Sequence, residues 1–282
     1  MLISKRKRRF LTFLTYAVLL LFSCYSLFPF LWMVVTSIKP DDQIRTLNPT
    51  FLIKDVTLKH YDNVLNHSSF LIYMKNSLII ASIATLLSLL ISVFSGYALS
   101  RYTRFKGVQM FSVAMLLSQM IPGVLLLIPL YLIMKSLALI NTHLSLVLAY
   151  TTFTIPLCIF MMKSFFDSVP YEMEESAEID GAGPVQKFFT ITLPLLKPIM
   201  IYTVTVAIFE GYRMFGESYV FWNESMPGDI GLTIVRYIYQ QAFQRNDLGF
   251  GSAIGITLLV IVLAINLAQL KFFGFFKKDS DS

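Results

Sequence analysis

Glu210, Arg213 and Glu217 have the most chemical reach in this 282-residue sequence. They are ionisable groups set three and four positions apart inside the apolar run Ile199–Phe221. On a helix those spacings put all three on one face, with Thr203 on the same side below them. Charge is costly inside a bilayer, so such a face turns toward other helices, a water-filled path or its own counter-charges. Two chemistries stay open. One is a self-neutralising ion-pair ladder; the other is a polar lining for a hydroxyl-rich solute, to which Tyr212 adds a stacking surface. A second cluster is purely acidic: Asp167, Glu172, Glu174, Glu175, Glu178 and Asp180 fall in one polar stretch, and no basic residue follows until Lys187.

Other chemistry finds no footing. His60, His67 and His143 form no HxxxH or HExxH pair, and Cys24 and Cys158 have no partner spacing, so no metal ligand is assigned. There is no nucleophile–base pair and no catalytic carboxylate couple. No catalytic residue is therefore assigned, and the chain is not expected to be an enzyme. A GxxxxGK[ST] phosphate loop is also absent, so no cofactor is expected on this chain and any nucleotide must be handled by another.

The elements that must hold these groups are apolar. Hydrophobic residues make up 56% of the chain and charged residues 14%, against about a quarter charged in ordinary globular domains. The net charge of +6 needs no nucleic acid to explain it. Five of the positive charges, Lys5–Arg9, directly precede an apolar run and read as a topology signal. That run is too long for a secretory signal and lacks a small-residue cleavage site, so it is expected to stay as the first span.

The expectation is an all-α integral membrane protein with six transmembrane helices in lipid, at 10–35, 71–99, 108–134, 144–165, 199–221 and 251–273. Each run meets the roughly 20 residues needed to cross the hydrocarbon core, and Pro122-Gly123 and Pro129 interrupt the third. Together they make a single transmembrane domain over 1–282. With both termini cytoplasmic, the inner segments hold 14 of the 23 Lys and Arg residues, including the tight clusters at Lys5–Arg9 and Arg101–Lys106. The acidic loop 166–198, between spans 4 and 5, then faces the cytoplasm. The connection Trp222–Phe250 is read as polar, Gly251 and Gly255 as a close-packing GxxxG face, and Gln119 and Asn266 as amides bonding across helices.

Inside the acidic loop, Asp167 or Ser168 can cap a short helix with Pro170 in its first turn. Gly181 or Gly183 supplies its left-handed stop, and Pro184 opens a second helix. By spacing alone this is either a solvated, well-capped loop or a docking element. Its residues resemble something more specific. Glu175-Ser176-Ala177, Asp180-Gly181-Ala182 and Ile191-Thr192-Leu193-Pro194 together resemble the cytoplasmic "EAA" motif of binding-protein-dependent ABC importer permeases, with Ser176 where a second Ala is usual.

The resemblance extends over Asn76-Ser77-Leu78, the Gly96–Arg101 exit GYALSR, Phe105-Lys106-Gly107, Pro122, Pro129-Leu130-Tyr131 and Asn141-Thr142, which are similar to the carbohydrate-uptake branch with its maltose-type sugar permeases. Beyond Glu210, the residues Phe215, Tyr219, Pro227-Gly228, Tyr237-Ile238-Tyr239 and Gly249–Ala253 look more like the larger subunit of such permease pairs. The resemblance implies that Glu175, Ser176, Ala177, Asp180 and Gly181 form a coupling helix seated on a cytoplasmic ATPase. It implies a second permease subunit, as a heterodimer in preference to a homodimer, two copies of the ATPase that hydrolyses ATP, and an extracytoplasmic solute-binding protein. A self-contained secondary transporter or channel is the alternative, but neither an inverted repeat nor a proton relay is evident. An integral membrane enzyme is the third reading, and it lacks a catalytic constellation.

Overall fold

A computed structural model describes residues 5–46, 48, 50–222 and 233–273. The Pro227-Gly228 pair, Lys277 and Lys278 lie outside these described residues. Among the described residues every regular element is a helix. In order the helices are α1 (Lys5–Ser37), α2 (Asp41–Ile44), α3 (Lys59–Asn66), α4 (Phe70–Arg101), α5 (Lys106–Gln119), α6 (Gly123–Ser136) and α7 (His143–Ser168). There follow α8 (Tyr171–Ile179), α9 (Pro184–Lys187), a π-helical turn Phe188–Thr192, α10 (Leu193–Leu195), α11 (Lys197–Arg213) and α12 (Gly216–Phe221). The chain continues with α13 (Ile234–Tyr239), a π-helical turn Gln240–Gln244 and α14 (Leu248–Phe272).

Four helices are long and apolar enough to cross a membrane, within α1, α4, α7 and α14, and the count reaches six if two bent pairs are each one span. The run 108–134 breaks at Pro122-Gly123, where the sequence interrupts it. α5 and α6 meet at a 106° bend, because Pro122 cannot donate the backbone bond that would carry a helix past Gln119. The second bent pair is Val185–Leu195 with Ile199–Arg213, at 68°, and the run expected over 199–221 is itself broken: α11 stops at Arg213 and α12 restarts at Gly216, with Met214 extended between them. Irregular backbone of this kind is tolerated at membrane depth only where protein or a cavity covers it.

Packing divides the chain into two compact units. One comprises Met1–Ser68 and Ile238–Leu259. There the His60 ring meets the Lys39 carbonyl at 3.0 Å, and a side chain at Gly249 would strike that ring. Asp41, His60 and Asp247 converge within 4.8 Å, a grouping that their sequence separation does not announce. Gly251 packs on Ala242 and Gly255 on Met33, so the two glycines do serve close approach, but against different partners.

The other unit comprises Ser69–Tyr237 and Val260–Ser282, and α4 lying along α7 is its main contact. Apolar side chains gain little from leaving lipid for one another, so close backbone approach must do the work. α4 supplies it with Ala84, Ser88, Ser92 and Gly96, buried at intervals of one helical turn. A Cβ on Gly96 would lie 2.7 Å from Met162 Cβ and 3.0 Å from the Lys163 backbone nitrogen. Ser88 and Thr154 hydroxyls bond across the seam at 2.6 Å. The stretch read as a polar connection holds α13, whose Ile234, Arg236 and Tyr237 are buried. Arg236 donates to the carbonyls of Ser218 and Trp222.

Candidate functional site

The acidic loop is pinned by one buried ion pair. Arg101 closes the last turn of α4, where a cation also favours the helix dipole. Its Nη2 donates to Glu174 Oε1 at 2.8 Å, and its Nε reaches the same oxygen at 3.1 Å. The Tyr97 hydroxyl donates to the other carboxylate oxygen, Oε2, at 3.1 Å. Arg101 further donates to the carbonyls of Phe166 and Val169, closing the end of α7. One turn away, Asp167 accepts from Ser100 Oγ and Lys163 Nζ, both at 2.6 Å. Asp167 and Ser168 therefore do not cap α8 as expected, because α7 runs on through Ser168. Pro170 occupies the N-cap position, with no side-chain cap.

Gly181 does end α8, and Gly183 does not. Its φ of +85° is in the left-handed region, where a Cβ crowds the backbone. The Gly181 amide donates to the Glu178 carbonyl at 3.0 Å and the Ala182 amide to the Ala177 carbonyl at 2.9 Å, which is the Schellman pattern. Lys187 of α9 then bonds Glu178 at 2.7 Å and holds that carboxyl below its ordinary range. With Glu174 turned inward, Glu175, Ser176, Asp180 and Gly181 are exposed and Ala177 is half-buried. Ile179 is 82% and Val185 71% exposed, an apolar tip on a charged loop.

The second candidate site forms at the break between α11 and α12. A pocket of about 430 Å³ is lined by Glu210, Arg213 and Glu217 together with Gln119, Tyr150 and Thr154. Glu210 and Arg213 pair at 3.4 Å, while Glu217 has no ion-pair partner among the described residues, so of the two open readings the ladder is only half formed. Glu217 lies on α12 rather than α11, and the break, not a continuous helical face, returns it to the same pocket. Tyr212 is buried at 5% exposure and is not among the residues that line this pocket. The aromatic wall comes instead from Phe153 and Tyr150 of α7, the latter with its hydroxyl committed to the Ala207 carbonyl at 2.5 Å.

Residues 88–272, which carry both sites, match the family of binding-protein-dependent transport system inner membrane components. The chain belongs to that family. It is 54% identical over 111 residues to the arabinooligosaccharides transport system permease protein AraP of Halalkalibacterium halodurans, covering 39% of this chain and 35% of that one. The chain thus spans about a third of the length of that relative. The trehalose/maltose transport system permease protein MalG of Thermococcus litoralis is 30% identical over 90% of this chain and 89% of its own. The fold matches a chain in the crystal structure of a bacterial ABC transporter involved in the import of the acidic polysaccharide alginate. That match has a TM-score of 0.78 at 18% identity, over 95% of this chain and 99% of that one.

For this inner membrane transport component the GYALSR exit now has a physical account. Gly96 admits α7, Tyr97 and Arg101 hold Glu174, and Ser100 holds Asp167. Glu174 was not singled out by sequence reasoning. One signal pointed to it, an acidic residue one place before the Glu175-Ser176-Ala177 motif with no local partner. Its true partner lies in another helix.

Proposed function

We propose that residues 1–282 form a single permease domain of a binding-protein-dependent ABC importer for a sugar or oligosaccharide. In this reading α5 with α6 forms one span and α11 with α12 another, giving six, with both termini and the loop 166–198 in the cytoplasm. The relatives' printed cargoes, arabinooligosaccharides and trehalose/maltose, support a saccharide. A second neighbouring structure, an alginate ABC transporter in complex with an alginate pentasaccharide-bound periplasmic protein, supports delivery by a solute-binding protein. A second permease subunit, in a heterodimer, and two ATPase copies that hydrolyse ATP complete the assembly, and lipid surrounds the spans.

The observation that carries the reading is the two-sidedness of α8. One side is locked to α4 through Glu174, while the other presents Glu175, Ser176 and Ile179 to solvent. An exposed apolar tip beside a fixed anchor suits a lever: an ATPase grips the tip, and the anchor passes its closure to α4 and α7. Rocking of the spans then alternates access to the pocket at Glu210, Arg213 and Glu217. The test is to replace Ile179 by Asp and measure co-purification of the co-expressed ATPase together with ATP-dependent uptake. Because Ile179 packs on little, the variant is expected to fold normally and to lose both. Normal uptake by that variant refutes the docking role.

A further inference from the structure

We propose that the pocket at the break in the fifth span sorts saccharides by charge, accepting neutral and cationic sugars and turning away uronate-bearing ones. This inference rests on the pocket being part of the solute path. Its lining holds two carboxylates and one guanidinium. Arg213 is consumed by Glu210 at 3.4 Å and points largely into solvent, its side chain 79% exposed. Glu217 is left as the excess negative charge, with no ion-pair partner among the described residues.

The backbone does not overturn that sign. The N-terminus of α6 reaches the pocket at Gly123 and the C-terminus of α11 reaches it at Arg213. These ends carry about +0.5 and −0.5 of a charge and offset each other. Leu127, Phe153 and Leu157 wall the rest, and an apolar wall lets a charge act over a longer distance than water does. Gln119 and Thr154 add neutral polar groups for sugar hydroxyls. A carboxylate sugar entering here meets Glu217 with no free cation in the lining to receive it.

The test uses the assembled importer in nanodiscs, without binding protein, and reads saccharide binding by saturation-transfer NMR. The probes are a neutral glucan trisaccharide, a glucosamine trimer and trigalacturonate. At low salt the expected order of affinity is glucosamine trimer, neutral sugar, trigalacturonate, with the last weaker than the neutral sugar by about tenfold or more. Glu217→Gln should shrink the ratio between neutral sugar and trigalacturonate severalfold, and an unchanged thermal-unfolding midpoint shows that the variant is folded. Raising the salt should compress the ranking in the wild type and change little in the variant. Neutral binding with no charge ranking, or a ranking unmoved by Glu217→Gln, overturns charge selection while leaving the solute path standing. If none of the three sugars binds, the pocket is not on the path and both readings fall.

Discussion

Arg101 and Glu174, 73 positions apart in sequence, meet at 2.8 Å with side chains only 10% and 5% exposed. Removing one member of a buried pair leaves the other charged and unpaired, at about 3–5 kcal/mol. Glu174→Gln is therefore expected to lower the unfolding temperature of the purified permease clearly and to abolish ATP-coupled uptake. The double variant Arg101→Met with Glu174→Met should recover only part of the stability, since the Phe166 and Val169 carbonyls also lose their donor. A Glu174→Gln protein as stable as the wild type would remove the anchor from the mechanism.

Gly96 sets how closely α4 approaches α7. The obstacle to any larger residue is backbone and Cβ, which cannot swing aside as a side-chain tip can. Gly96→Ala should cost about 1–3 kcal/mol, as overpacking of a tight seam does, and Gly96→Leu more. Thermal unfolding of expression-matched samples measures it. An unchanged midpoint for Gly96→Ala means that the helices separate freely there, and that α7 does not depend on this contact.

At Gly181 the constraint is of another kind. Nothing lies within 4 Å of a Cβ placed there, so size is tolerated and only the left-handed backbone objects. Asn enters that region far more readily than a β-branched residue. Gly181→Asn is expected to retain most uptake, whereas Gly181→Val loses the stop of α8, at about 1–2 kcal/mol. Equal behaviour of the two variants would point to contact with a partner, not backbone strain, as the reason for glycine.

The four long apolar helices α1, α4, α7 and α14 were legible because a bilayer demands long apolar runs, and such runs stand out in any window of sequence. The stop at Gly181 was legible because the left-handed turn depends on one residue and its neighbours. Three features were not legible, each for a physical reason. Pro122 marks an interruption, but its 106° angle was not readable, because continuous hydrophobicity records burial in lipid and not direction. The break at Met214–Phe215 contains no proline or glycine, so helical spacing placed Glu217 on one continuous face with Glu210 and Arg213 when it lies on a separate helix. The bond from Arg101 to Glu174 depends on how α4, α7 and α8 pack, and no local pattern encodes a partner in another helix.

Ser77, in the Asn76-Ser77-Leu78 stretch, shows what such a distant bond does. It is 1% exposed on α4, and its hydroxyl accepts the Ile234 amide at 2.9 Å, satisfying the first free N–H of α13. Ser77→Ala strands that buried donor, at about 1–3 kcal/mol. The loss should appear as faster amide exchange through Ile234–Tyr239, with α8 unaffected. Unchanged exchange there would show that α13 is held without Ser77.

The pH response of the loop follows from Glu178. Lys187 bonds its carboxylate and lowers its pKa in the folded chain, so the contact contributes above the ordinary glutamate range and is lost as pH falls through the depressed value. The pair is solvated, so the effect on overall stability is small. The local effect is measurable: in Lys187→Met the Glu178 carboxyl resonance should titrate at higher pH than in the wild type. The turn from Gly181 to Pro184 should also loosen at neutral pH as it does in wild type at acid pH. If the Glu178 midpoint is the same in both proteins, the bond does not hold α8 to α9, and the Gly181 turn alone must set their angle.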